Sequence, residues 1–529
     1  MARTFAETDL GLSWTTRHVA VGVLLGTLFL SAVLHTRHFD GDGLRWLLHI
    51  RLEQPSSGGI SHALFPSAVW AWSRVGSFFA IPALLERFGV EFPVAVWLQW
   101  MNAFGAALGA SAFYVALRLS AIPQRAALLT VPLLVASNAF LRAGTDMIEP
   151  MWALALALCA VATSLAWGRR LGGAVFAGCL LGLSGCIYQL SLVLGFLVAG
   201  ALMGEGRLDR HKFVRVLLAA GAAVGCFVLG VLVTLRLFAD DGERSLVDTA
   251  SGLFGRVEPR HLVGALFGLV NTFSPLSNWR GVSGLFHGPF RAAAVNLPLT
   301  ILAWVTLVTI LGVRRARESH RYWIRRAAIF NLVTVWAFAA FWEAAYIKIW
   351  LFAAPAIFIL FAEVVLERRR AIWAVVPALL LSGFSLGQGI WRAWNDPQDL
   401  TAARHLAAVV GGSDLLIAPG WDGPSVYLGT LLRPEQRRWS LTDTAIACRL
   451  DEACVRTRIS AAVRDASIPG GRIFVFGLLD LSAAEWEVFY GARLGLPRTV
   501  LDPLRAMSQA TSPVSGTNAT LTLLGSPRL

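Results

Sequence analysis

Long apolar runs separated by short charged segments recur along the first three quarters of the chain. Several of these runs approach the ~20 residues that an α-helix needs to cross the apolar core of a bilayer. The pattern therefore predicts a polytopic α-helical membrane protein with about eleven spanning helices. These helices are expected at residues 19–35, 93–117, 124–141, 150–167, 171–188, 190–204, 214–238, 292–313, 324–341, 346–366 and 371–391.

Two further apolar stretches are interrupted by polar residues, and we expect both to lie in the membrane interface. Residues 60–82 contain Pro66 and Arg74 and are rich in Trp and Ser. One or two helices with their apolar face toward the lipid suit this composition better than a span does. The same interpretation applies to residues 261–273.

The pattern changes after about residue 392. Short strand-like runs at 415–419 and 472–476 alternate with amphipathic segments. Strands that alternate with helices predict a small α/β domain. We therefore expect a membrane domain, 1–392, followed by a soluble α/β domain, 393–529, which ends in a hairpin or a loose tail at 507–529.

The composition agrees with a lipid environment and argues against nucleic-acid binding. Hydrophobic residues make up 56% of the chain and charged residues 15%, whereas soluble proteins have about 25% charged residues. The formal net charge of +13 comes mainly from arginines clustered between the apolar runs. Such clusters are typical of cytoplasmic loops in membrane proteins.

These clusters also predict the orientation of the chain. With a cytoplasmic N-terminus and alternating spans, every strong basic cluster falls on the cytoplasmic side, as the positive-inside rule requires. The clusters are Arg118 and Arg125, Arg169 and Arg170, Arg207 to Arg215, Arg314 to Arg326, and Arg368 to Arg370. The outer side then receives the loops 36–92, 142–149 and 239–291 and the C-terminal domain. We expect a multi-pass inner (cell) membrane protein whose chemistry lies outside the cytoplasm.

Asp40 and Asp42 are the first candidates for that chemistry, because they follow the first predicted span within an Asp-Gly-Asp-Gly sequence. Carboxylates two residues apart share one face of an extended segment. Such a pair can hold a divalent cation, Mg²⁺ or Mn²⁺, or supply a general base. An Asp/Gly turn where the chain leaves the membrane is the alternative.

Asp146 and Glu149 form a second acidic loop on the same predicted side. They stand three residues apart, one turn of a helix if the segment is helical. Glu149 precedes Pro150, which can start the next helix, and a carboxylate at a helix N-terminus is favoured by the helix dipole. Helix capping alone is therefore an alternative explanation for Glu149.

Glu343 and Lys348 lie between and within apolar segments near the predicted outer boundary. A charged side chain at that depth is costly and marks a functional candidate. The chain has only one other lysine, Lys212, and otherwise uses arginine. A compact ammonium is a point-charge partner for phosphate, whereas arginine is a planar fork. The alternative for Lys348 is snorkelling to the membrane interface.

The layout resembles the GT-C fold of integral-membrane glycosyltransferases, which use sugars carried on polyprenyl phosphate. The resemblance is carried by Asp40 and Asp42 after the first helix, by Asp146 and Glu149 in the second acidic loop, and by the segment 342–350. Ten or more spans and a soluble outer tail complete it.

This resemblance implies an inverting transfer at the outer leaflet, with Asp40 or Asp42 as the general base. The acceptor would be a glycan, a lipid or a protein of the cell envelope. The candidates for contacts with the donor phosphate or the substrate are Lys348, Glu343, Arg142, Arg244, Arg280 and His287. No Rossmann or phosphate-loop glycine motif is present in the sequence, as expected for a lipid-linked donor.

Three other functions stay open on the sequence alone. A transporter or flippase would be expected to show internal repeats and charges near the middle of the membrane, and neither pattern is clear. A polymer ligase or another outer-face transferase is the second alternative, and a scaffold with a working tail is the third. In that tail, Cys448 and Cys454 are expected to form a disulfide if the compartment is oxidising.

Overall fold

The computed structural model divides the chain into two compact units. One comprises Met1–Thr36 and Pro55–Trp394, and the other comprises Arg37–Gln54 together with Asn395–Leu529. The residues described are 13–37, 39, 41–51, 63–204, 209–237, 272, 322–341, 347–365, 375–376, 379–380, 382–383, 385–387, 398–420, 423–448, 450–467, 471–491 and 495–525.

The first unit consists mainly of apolar helices. The numbering follows the chain, so α2 is included below although it belongs to the second unit. The helices before residue 204 are α1 (Trp14–Val33), α2 (Gly41–Arg51), α3 (Phe65–Phe78), α4 (Ile81–Arg87), α5 (Pro93–Leu119), α6 (Gln124–Val135), α7 (Asn138–Thr145), α8 (Pro150–Trp167), α9 (Leu171–Ile187) and α10 (Gly195–Met203). The later ones are α11 (Arg210–Leu237), α12 (Tyr322–Phe341), α13 (Ile347–Trp350) and α14 (Ala354–Val365).

Within the described residues, 4 helices are long and apolar enough to cross a membrane. They are Trp14–Val33, Pro93–Leu119, Pro150–Trp167 and Arg210–Thr234. Counting each of two bent helix pairs as one span gives up to 6. The chain is thus a multi-pass membrane protein. The predicted segment 292–313 lies outside the described residues, and the expected number of about eleven spans stays a prediction.

The prediction of one helix at 124–141 is wrong in detail, because this segment divides into α6 and α7. These two helices meet at an angle of 62°. Ser137 between them is extended, with φ −64° and ψ 144°, and its hydroxyl donates to the carbonyl of Leu134 at 2.7 Å. A serine hydroxyl that donates a hydrogen bond to a carbonyl in the last turn of a helix competes with the backbone hydrogen bonds that would continue the helix.

The segment 346–366 also divides, into α13 and α14. Residues 351–353 form turns between the two helices. Pro355 stands in the first turn of α14, where the missing N–H of proline costs no helical hydrogen bond. Of the segment 60–82, where one or two helices are expected, residues 65–78 form α3, whereas α4 begins at Ile81 and ends beyond the segment. The two helices meet at 63°. Their position in the membrane interface stays a prediction.

Small residues allow the helices of the first unit to pack closely. Gly178 and Gly182, one turn apart on α9, face α11 so closely that a Cβ would lie 2.2 Å from the carbonyl oxygen of Ala219 and 2.4 Å from that of Ala223. Lipid chains are as apolar as leucine side chains, so close backbone packing of this kind is what holds membrane helices together. Any larger residue at either glycine would separate α9 from α11.

The second unit contains the α/β domain that the sequence predicts. Its sheet has the strand order β2-β1-β3-β5-β4, in which β1 pairs in parallel with β2 and β3, and β5 pairs antiparallel with β3 and β4. The strands are β1 (Leu415–Ala418), β2 (Arg437–Ser440), β3 (Ile473–Phe476), β4 (Ser508–Pro513) and β5 (Thr520–Leu524). The helices are α15 (Gln398–Val409), α16 (Gly423–Tyr427), α17 (Leu441–Ala447), α18 (Glu452–Ser467), α19 (Ala483–Trp486) and α20 (Asp502–Ala506).

Three features of the C-terminal tail agree with predictions made from the sequence. Every residue of β1 and of β3 is buried, as expected for the short apolar runs at 415–419 and 472–476. Strands β4 and β5 form an antiparallel hairpin, so the tail is folded at 508–524. A disulfide joins Cys448, just after α17, to Cys454 in α18, with 5.6 Å between their Cα atoms.

A buried carboxylate fixes the start of the sheet. Asp414 precedes β1 and accepts hydrogen bonds from the backbone N–H of Gly411 at 2.7 Å and of Arg472 at 2.9 Å, and from Nη2 of Arg472 at 2.9 Å. Burial raises the pKa of the Asp414 carboxyl, but these hydrogen bonds outweigh burial and hold the pKa below its ordinary value.

We therefore expect Asp414→Asn to destabilise the second unit by about 2 kcal/mol at neutral pH, the size of a lost charge-assisted hydrogen bond. Because the folded pKa is depressed, this stabilisation is complete above about pH 4 and is lost as the pH falls through the folded pKa. The melting temperatures of full-length wild type and D414N should differ at pH 7, and the difference should shrink as the pH is lowered below about 4 through the folded pKa. A difference that stays the same throughout an acid titration would contradict this explanation.

Candidate functional site

The loop between α7 and α8 holds two buried carboxylates and is fixed by an amide from α5. Nδ2 of Asn102 donates to the carbonyl oxygens of Asp146 at 2.7 Å and of Ile148 at 2.6 Å. Oδ1 of Asp146 accepts from the N–H of Met147 at 2.7 Å. Asp146 and Glu149 are both fully buried. Backbone and side-chain contacts therefore hold this acidic loop in one conformation.

Sequence features on both sides explain how the loop forms. The chain becomes extended at Asp146, with ψ 175°, directly after α7. Pro150 then starts α8, as the sequence predicts. Gly144 lets α7 approach α5, because a Cβ there would lie only 2.9 Å from the Cβ of Ala106.

The end of α1 is tied to the same loop. The N–H of Thr36 donates to the carbonyl of Thr145 at 3.3 Å, and Nε2 of Gln99 donates to the carbonyl of Thr36 at 2.6 Å. Gln99 and Asn102 are one turn apart on α5, so a single helix face fixes both the exit of α1 and the acidic loop. Both amide side chains are buried.

Glu149 and Lys348 form a buried ion pair within the first unit. Nζ of Lys348 lies 3.4 Å from Oε2 of Glu149, and each side chain is only 1% exposed. The Glu149 carboxylate makes no capping hydrogen bond to α8, so helix capping does not account for it. Snorkelling does not account for Lys348 either, because its ammonium lies inside the protein. Buried charges are retained when they are paired, and such pairs mark functional candidates.

Asp42 is the second residue of α2, and this differs from the extended segment assumed for the Asp-Gly-Asp sequence. The helix runs from Gly41 to Arg51, and its apolar residues Leu44 and Leu47, which stand three positions apart on one face, are buried. Asp42 thus stands in the first turn, where a carboxylate is favoured by the helix dipole. Its side chain lies outside the described residues.

The remaining sequence candidates are only partly described. Arg142 is a half-buried residue of α7. The candidates outside the described residues are Asp40, Arg244, Arg280, His287 and Glu343. In the part of the chain that the structure describes, no three His, Cys, Asp or Glu side chains form a metal-binding group. The cation assigned to Asp40 and Asp42 stays a prediction.

Sequence reasoning missed Asn102 and Gln99. The sequence did contain a signal for them, namely two amide side chains three residues apart in an otherwise apolar helix. A polar group within a membrane span needs a hydrogen-bond partner, so such residues mark a buried contact. Among the described residues, Oδ1 of Asn102 and Oε1 of Gln99 have no hydrogen-bond partner. The donation by Asn102 to two carbonyls fixes the orientation of its amide and leaves that oxygen as an acceptor.

The fold resembles solved structures over almost the whole chain. ArnT from Cupriavidus metallidurans bound to undecaprenyl phosphate matches with a TM-score of 0.54 and 13% identity, over 97% of this chain and 98% of the ArnT chain. The apo state of the same ArnT matches with a TM-score of 0.51 and 14% identity, over 97% and 98%. The GT-C-like fold expected from the sequence is confirmed. No protein-family profile matches the chain, and no curated protein matches its sequence.

Proposed function

We propose that this chain, which has the fold of ArnT, is an integral-membrane glycosyltransferase that uses a sugar carried on polyprenyl phosphate. The observation that carries the proposal is the fold likeness over 97% of the chain to a protein bound to undecaprenyl phosphate. A multi-pass helical unit joined to an α/β unit suits a donor that stays in the membrane and an acceptor that approaches from water.

The proposed reaction is a single displacement that inverts the anomeric carbon. A carboxylate, Asp40 or Asp42, accepts the proton of the acceptor hydroxyl as that oxygen attacks. The bond between the anomeric carbon and the phosphate oxygen breaks, and the lipid phosphate leaves with the electron pair. A second carboxylate near the sugar stabilises the oxocarbenium-like transition state.

The departing phosphate needs positive charge, and Lys348 is the candidate that the structure describes most fully. Its ammonium is a compact positive charge of the kind that meets phosphate, and Nζ lies 3.4 Å from Oε2 of Glu149. In this proposal Glu149 fixes the ammonium, so that its charge needs no reorganisation when the phosphate leaves. Arg142, Arg244 and Arg280 are the further proposed cations, with Glu343 and His287 as substrate contacts.

The proposal places this chemistry outside the cytoplasm, and the topology can be tested directly. We expect a reporter fused after residue 320 to be cytoplasmic and one fused after residue 450 to be extracytoplasmic, because the arginine clusters define the inside. Paired phosphatase and fluorescent-protein fusions at both positions would measure this. The reverse pattern would overturn the orientation and the outer-face assignment.

A strain that lacks the protein tests the proposal in the cell. We expect polyprenyl-phosphate-linked sugar to accumulate, because its consumer is missing, and mass spectrometry of extracted lipids would detect it. Wild-type protein should restore the normal level and a variant with both Asp40 and Asp42 replaced by Asn should not. Unchanged lipid-linked sugars in the deletion strain would contradict the proposed donor.

A further inference from the structure

The hydroxyl of Tyr427 holds the chain directly before α2. The N–H of Phe39 donates to Oη of Tyr427 at 2.7 Å, and Oη lies 3.1 Å from the carbonyl oxygen of Arg37, to which it donates. Tyr427 is 2% exposed and Phe39 is 8% exposed. The same oxygen lies 3.4 Å from the carbonyl oxygen of Phe39, so one buried hydroxyl contacts three backbone groups in the segment that leads to α2.

The other end of α2 is held by the residues that follow Tyr427. Nη1 of Arg51 donates to the carbonyl oxygens of Thr430 at 2.6 Å and of Leu431 at 3.1 Å. These carbonyls belong to the π-helical turn Leu428–Leu432, which continues α16. Carbonyls at the end of a helical segment lack helical partners, so a guanidinium is a favourable donor to them.

Helix α2 lies next to α16 and to the π-helical turn of the same unit, and its middle carries buried apolar side chains. Leu44, Trp46 and Leu47 are buried. Helix α2 is therefore fixed at its start by Tyr427, along its length by apolar contacts, and at its end by Arg51. The contacts at its two ends come from one short segment, 427–431.

We infer that Tyr427 is a positioning residue for the carboxylates of Asp40 and Asp42, an inference that rests on the proposed function. Asp40 directly follows Phe39, and Asp42 is the second residue of α2. A general base works only when its oxygen stays within hydrogen-bond reach of the acceptor hydroxyl. Packing of the ring alone would not require the hydroxyl, whereas fixing the backbone before Asp40 does.

The test compares Tyr427→Phe with Tyr490→Phe in the full-length protein reconstituted in lipid nanodiscs. Y427F keeps the ring that lies 5.9 Å from the Phe39 ring and removes only the bridging oxygen. Tyr490 is a buried tyrosine of the same unit that stacks on Trp486, and it serves as the matched control.

We expect Y427F to lower kcat by roughly 10- to 100-fold with little change in KM for the lipid donor, since a small displacement of a catalytic group has effects of this size. Amide hydrogen exchange in the peptide 39–51 should become faster in Y427F and stay unchanged in Y490F. Arg51→Gln, which releases the other end of α2, should speed exchange in the same peptide.

A double variant separates positioning from general damage to the fold. If Tyr427 acts through the carboxylates, Y427F should cause no further loss when the catalytic Asp is already Asn. Transfer by wild type together with unchanged kcat and unchanged exchange in Y427F would overturn the positioning role alone. Fully additive losses in the double variant would overturn it as well. No transfer by wild type from any lipid-phosphate donor would overturn the proposed function and the positioning role with it.

Discussion

Replacing Asp40 or Asp42 with Asn is expected to lower sugar transfer by about 10²- to 10⁴-fold, the range that general-base catalysis supplies. Asparagine keeps the size of the side chain but cannot accept the acceptor proton. The larger loss identifies the base, and the smaller loss reports the stabilisation that the second carboxylate gives to the transition state. The measurement is the initial rate of transfer from a labelled polyprenyl-phosphate sugar by purified protein.

Asp465→Asn provides a matched control for this pair, because Asp465 is an exposed residue of α18. We expect D465N to transfer sugar at the wild-type rate. Size-exclusion profiles and melting temperatures of D40N and D42N should match wild type, so that their losses report chemistry. Full activity in both D40N and D42N would remove these residues from the catalytic role.

Breaking the ion pair between Glu149 and Lys348 has the largest expected effect on stability. We expect Lys348→Met to lower the free energy of unfolding by about 3–5 kcal/mol, because it removes the ammonium from a carboxylate that stays buried. Thermal unfolding in one detergent would measure the change. The exposed pair of Glu452 and Arg456 is the control, and Arg456→Met should cost less than about 1 kcal/mol.

Adding Glu149→Gln to Lys348→Met should recover much of the lost stability, because no buried charge of the pair then remains. Transfer activity should not recover, since Lys348 is proposed to meet the phosphate charge. Recovery of both would assign the pair to structure alone. A stable K348M single variant would contradict the buried pair itself.

Periodicity predicts those helices whose ends have local signals. Helix α8 runs from Pro150 to Trp167, as expected, because proline starts it and the arginine pair follows it. The break between α6 and α7 was missed, because it depends on how Ser137 uses its hydroxyl. A hydropathy pattern reports burial and does not report which carbonyl a serine selects.

In the candidate site, too, the sequence indicates which residues are important but does not indicate which residues pair with each other. Glu149 and Lys348 were each selected because a charge among apolar residues is costly. Their pairing was not predicted, because 199 residues separate them and a single sequence carries no signal for such a contact. Tyr427 was missed for the same reason, since its partners Arg37 and Phe39 lie 390 and 388 positions earlier in the chain.

Release of polyprenyl phosphate by the purified protein in nanodiscs is the most direct test of the central claim. Given a polyprenyl-phosphate sugar and an extract of envelope acceptors, wild type should release the lipid phosphate together with a glycosylated product, and the double variant of Asp40 and Asp42 to Asn should release neither. A wild-type protein that moves the intact lipid-linked sugar across the membrane without releasing lipid phosphate would contradict the claim.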